Sequence, residues 1–199
     1  MGGILMFMED FERLVGRIEA TPGRVETRLV AIDGRGGAGK SSLAGKLVER
    51  LPNAAVVQVD DFWLPRDVRP DRERVVLEPG SDYDWVRLRD QVVEPLSKGK
   101  AARFQRYDWQ SDTLMEWHDV AVGGTVIAEG VFSLREELSP YYDVRVWVET
   151  DPEECLKRGI ERDGEQHRDL WENEWMKAYE GYIEKSDPAK RADWVMRGA

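Results

Sequence analysis

Ala31-Ile32-Asp33-Gly34-Arg35-Gly36-Gly37-Ala38-Gly39-Lys40-Ser41-Ser42 is the stretch on which the reading of this chain turns. It holds a complete G-x-x-x-x-G-K-S pattern, from Gly34 to Ser41. The apolar run Leu29-Val30-Ala31-Ile32 precedes it, and the helical pattern Leu43-Ala44-Gly45-Lys46-Leu47-Val48 follows. Strand, glycine loop and helix in that order are the context in which the pattern marks a phosphate-binding loop. The glycines let consecutive backbone N–H groups turn inward around a polyphosphate, at a helix N-terminus that favours anions. Gly34, Gly36, Gly37, Ala38, Gly39, Lys40, Ser41 and Ser42 are therefore the expected nucleotide-binding residues. Lys40 is placed to reach the β- and γ-phosphates, and the Ser41 hydroxyl to hold Mg²⁺. A bound nucleoside triphosphate is the first expectation.

Outward from this loop, strands alternate with helices. Residues 9–20 predict a short amphipathic helix, with Phe11, Leu14, Val15 and Ile18 on one face. Strands are expected at 28–33, 54–60, 125–129 and 144–149, and a short last one at 194–196. Most are apolar throughout, as parallel strands buried on both faces are. Helices are expected at about 40–51, from a Ser81 N-cap to about 97, at 152–163 and at 169–185. Residues 102–122 read as short β-segments around a turn at Gln110-Ser111-Asp112, and 61–80 as a mobile loop rich in Pro, Arg and Asp. The fold class is α/β: a P-loop NTPase-type parallel sheet sandwiched by helices, in one domain over 1–199 with a small helical lid at about 158–170.

Composition narrows the partners. A net charge of −10 argues against a nucleic-acid surface, so any phosphate recognition must be local. No apolar run approaches the roughly 20 residues of a membrane span. Met1 to Met8 lacks the basic region of a signal peptide, and the single cysteine, Cys155, suits a reducing compartment as a small apolar filler on a helix. A cytoplasmic protein is expected, with its oligomeric state open to a homo-oligomer.

Three groups of residues could carry chemistry. Asp60 ends the second predicted strand and Glu129 ends a central one, just before Gly130. In a parallel sheet both ends lie on the edge that holds the phosphate loop. Two carboxylates there could bridge a metal and orient an attacking hydroxyl, as phosphoryl transfer requires. Asp60-Asp61 could also simply start a turn. Arg158 and Arg162 share a helix face and Arg168 lies just past the polar turn, which suits charge stabilisation on a transferring phosphoryl group. Pairing with Glu154, Glu161 and Glu165 is the competing role. Tyr83-Asp84 and Tyr107-Asp108-Trp109 set aromatics beside carboxylates, as a small polyol or nucleoside needs. Asp84 is also placed to serve a helix cap.

With these residues in place, the chain resembles the uridine kinase-like group of P-loop kinases, which includes phosphoribulokinase and one type of pantothenate kinase. The resembling segments are Ile32-Asp33-Gly34 through Ser42, Val59-Asp60-Asp61-Phe62-Trp63, Tyr107-Asp108-Trp109, Ile127-Ala128-Glu129-Gly130-Val131-Phe132 and the Arg-containing 158–170. The resemblance implies ATP and Mg²⁺ as cofactors and a small-molecule hydroxyl as acceptor, nominally on uridine or cytidine. It implies Asp60 as general base near the metal, Lys40 and Arg162 as further catalytic residues, and Ser41 and Glu129 as metal ligands. Tyr83, Asp84, Tyr107, Arg158 and Arg168 fall at substrate-binding positions. Asp112 stands where uridine-cytidine kinases carry a histidine against the pyrimidine, and Gln166 where the lid often has another arginine. Another sugar- or polyol-like acceptor therefore stays open. So does a nucleotide-responsive binding protein, although no guanine-reading N-K-x-D segment is present.

Overall fold

Five parallel strands build the sheet: β1 Thr27–Gly34, β2 Ala54–Gln58, β5 Gly124–Glu129, β6 Val144–Glu149 and β7 Trp194–Arg197, in the order β2-β5-β1-β6-β7. Among the described residues two further strands, β3 Ala102–Asp108 and β4 Thr113–Val120, form a separate antiparallel hairpin. These elements come from a computed structural model that describes residues 2–69 and 78–198, with side chains described from residue 7 onward within them. The expected mobile loop falls partly outside the described residues, at 70–77. Its flanks make fixed contacts, because Trp63 bridges Tyr83 and Leu64 N donates to Asp82 O.

Helices cover both faces of the sheet, which is why β1 is apolar at every position from Leu29 to Ile32. Val30 and Ile32 face α1 (Gly2–Ala20) and α2 (Lys40–Arg50), packing with Leu14, Ile18, Leu43 and Leu47. Leu29 and Ala31 point the other way, towards Leu88, Val92 and Leu96 of α3 (residues 85–97) and Phe104 of the hairpin. Cys155 joins the first cluster from α4 (Pro152–Asp163) and is fully buried, as expected of an apolar filler. A third cluster at the sheet's carboxyl edge holds Phe132, Trp147, Trp171, Tyr179 and Tyr182, the last three from α5 (residues 168–186).

The structure corrects several boundaries. α1 begins at Gly2 rather than near residue 9. β2 stops at Gln58, and Val59–Phe62 forms a 3-10 turn, so Asp60 leaves the sheet edge on a turn and not on a strand. Ser81 does not cap α3; the Asp84 side chain does, accepting from Arg87 N at 2.9 Å. α3 and α5 each contain a π-turn, Arg89–Val93 and Trp171–Trp175. The first precedes Pro95, which has no N–H to donate and crowds the carbonyl one turn back.

Candidate active site

The phosphate loop leaves β1 and enters α2 over a cleft of about 720 Å³. Gly36, Gly37, Gly39, Lys40, Ser41 and Ser42 line it. Gly34 and Ala38 lie behind, one ending β1 and the other buried with its carbonyl accepting from Thr150 Oγ1. Gly37 has φ +79, and a Cβ there would come 2.3 Å from the Cys155 carbonyl oxygen, so only glycine fits. Lys40 is buried and its Nζ donates to Arg35 O at 2.9 Å, across the loop.

Strand pairing brings the two acids to this loop. Glu129 sits opposite Ile32 of β1 and opposite Gln58 of β2, two residues before Asp60. Ser41 Oγ donates to Glu129 Oε1 at 3.2 Å. Glu129 is only 5% exposed, and burial pushes its carboxyl up, against the opposing pull of Lys40. A cation would relieve that cost. Among the described residues no group of three or more His, Cys, Asp and Glu side chains is gathered around a metal position. Mg²⁺ needs no such cage, because it binds through one or two carboxylates together with substrate phosphates. A hydroxyl, a buried carboxylate and a second acid nearby fit that donor set.

The acceptor side of the cleft is aromatic. Asp60 faces it and accepts from the Tyr83 hydroxyl at 3.2 Å. Burial, reinforced by the Asp60 charge, raises Tyr83 well above its ordinary value, which keeps its proton for this bond. Trp63 stacks edge-on against Tyr83 and packs on Trp109. Arg158, Arg162, Asp163 and His167 close the far side. Arg158 donates to Glu154 at 2.8 Å, and Arg162 forms a two-pronged pair with Asp163.

Three expected substrate residues are not brought into the cleft. Asp84 is engaged as the α3 cap and in an ion pair with Arg87. Tyr107 is buried and donates to Asp112 Oδ1 at 2.6 Å. Arg168 is held on the surface by Glu165 and Glu172. Asp112 also accepts from Arg66 N and pairs with Arg69, tying the hairpin turn to the loop after Trp63. Conversely, Trp171, Trp175 and Tyr179 line the cleft, and their fourfold spacing on a predicted helix marks one face. Asp33 was equally silent in the sequence. Fully buried, it accepts from Gly34 N, Phe132 N, Leu134 N and Tyr182 Oη, joining the loop, the segment after β5 and α5.

A parallel sheet with a glycine-rich phosphate loop at its carboxyl edge, beside a hydroxyl–carboxylate pair, defines a P-loop nucleotide-binding protein. The sequence model of the Phosphoribulokinase / Uridine kinase family matches residues 29–196. The chain belongs to this family of P-loop kinases. It is 23% identical over 172 residues to a uridine kinase of Ureaplasma parvum, an alignment covering 79% of this chain and 83% of that one. It is also 31% identical over 153 residues to the inorganic pyrophosphatase TTM2 of Arabidopsis thaliana, covering 71% of this chain but 21% of that protein. A solved structure described as a possible uridine kinase from Bacillus stearothermophilus superposes with a TM-score of 0.72 at 24% identity, covering 95% of this chain and 98% of that one. A D-glycerate 3-kinase from Cryptococcus neoformans superposes at 0.57 and 14% identity, covering 94% and 88%. At these identities the structural likeness speaks for the fold.

Proposed function

We propose that the chain transfers the γ-phosphoryl group of ATP to a hydroxyl of a small molecule, nominally uridine or cytidine. The observation that carries this is Asp60, an acid directed into an aromatic-lined space that opens onto Lys40, Ser41 and Glu129. Lys40 and the loop amides hold the triphosphate. Ser41 and Glu129, with Asp60 nearby, would hold Mg²⁺, which neutralises charge on the β- and γ-oxygens when bound. Tyr83 fixes one Asp60 oxygen, leaving the other to orient the acceptor hydroxyl and take its proton. Arg162 and Arg158, on a lid over 158–170, supply positive charge to the transferring group.

A sugar- or polyol-like alcohol is the alternative acceptor. The engagement of Asp112 with Tyr107, Arg66 and Arg69 favours it, since that side chain is committed to the loop and not offered to a base. The protein works on small molecules in the cytoplasm, without nucleic acid. Among the described residues no helix is long and apolar enough to cross a membrane. ADP release is the test, measured with ATP alone and with pooled nucleosides, sugars and polyols. Release that depends on an acceptor supports the kinase. Turnover indifferent to every acceptor favours a nucleotide-responsive binding protein instead.

A further inference from the structure

Trp171 touches the phosphate loop and the lid at once. It is among the largest fully buried side chains and opens the π-turn of α5, a local widening that recurs at functional sites. Its ring sits between two glycines. A Cβ on Gly36 of the loop would come 2.8 Å from the ring's Cη2, and one on Gly159 of α4 would come 2.5 Å from Cζ2. No slack therefore separates the indole from either backbone. Its Nε1 donates to Asp163 Oδ2 at 3.0 Å. That same carboxylate takes Arg162, with Nε on Oδ1 at 2.7 Å and Nη2 on Oδ2 at 3.0 Å.

We propose that Trp171 is a positioning residue that couples occupancy of the phosphate loop to the placement of Arg162. The backbone at Gly36 sets the indole, the indole N–H sets Asp163, and Asp163 holds the guanidinium. A packed, rigid ring passes on a small displacement of the loop where a flexible side chain would absorb it. The coupling rests on the cleft being a nucleotide site.

The test uses the full chain labelled with 5-fluorotryptophan, with Mg²⁺ and the non-hydrolysable analogue AMP-PNP as probe. The eight tryptophans supply the ¹⁹F signals, and the one missing from Trp171→Phe is that of Trp171. Binding of the probe should shift the Trp171 signal in the wild type. It should also slow tryptic cleavage after Arg162 by about tenfold or more, because a bound ligand stabilises the state it engages. Trp171→Phe keeps a ring but loses the N–H. At probe concentrations that saturate each protein, it should lose most of this protection. Asp163→Asn, at a half-buried position, should keep the Trp171 shift and lose the protection, and it remains informative should Trp171→Phe fail to fold. Probe binding with a silent Trp171 signal, or undiminished protection in Asp163→Asn, overturns the coupling alone. No probe binding by the wild type overturns the nucleotide site beneath it.

Discussion

Replacing Asp60 with asparagine removes one charge from the cleft and preserves its shape. AMP-PNP affinity should stay near wild type, while phosphoryl transfer falls by about 10²–10⁴-fold, the usual contribution of a positioned acid or base. Wild-type turnover in Asp60→Asn, measured by coupled ADP release, would remove the base from the mechanism. Its neighbour Asp61 makes a different prediction. Burial pushes the Asp61 carboxyl up to about 6, against the pull of Arg106, His118 and Arg87. A carboxyl raised by folding contributes stability at low pH, and that contribution is lost as pH rises through the folded value. Asp61→Asn has no such titration. Its melting temperature should therefore gain on wild type between about pH 4 and about pH 6, and a constant difference across that window would contradict the assignment.

At the scale of elements, α5 reaches the phosphate loop through polar tethers. The Tyr182 hydroxyl donates to Asp33, and Arg35 pairs with Glu180 and, more loosely, with Glu149. Tyr182→Phe leaves a buried carboxylate short of one donor and should cost about 1–3 kcal/mol, read as a lower urea midpoint with an unchanged slope. The sheet was legible because its signals are local. Leu29 to Ile32 is apolar on both faces, Asp151-Pro152 is a ready-made helix start, and the residues from Gly34 to Ser41 form a loop by their own backbone needs. Asp60 on its turn was half legible, since its side chain was expected at this edge but on a strand. At Asp84 a cap and a ligand need the same carboxylate, and the start of α3 at Trp85 shows it serving as the cap. Trp171 and Asp33 were illegible for a stronger reason. Their roles arise from Gly36, Gly159, Phe132 and Leu134, which only the folded chain brings to them.

Across the whole molecule, two helical layers bury the sheet and leave its carboxyl edge as the working surface. Cys155 lies beneath that edge, against the loop at Gly37, and burial pushes its thiol up. Thiol reagents should leave it unmodified in the folded chain and label it only once denaturant is added; rapid labelling of the native protein would show the loop opening freely. For the proposed kinase, the fate of the phosphoryl group is the decisive quantity. A ³¹P spectrum reads it directly, with the chain incubated with Mg²⁺, ATP and the pooled nucleosides, sugars and polyols. The proposed kinase activity predicts a new phosphomonoester signal growing in step with ADP. ADP accompanied only by inorganic phosphate would contradict it.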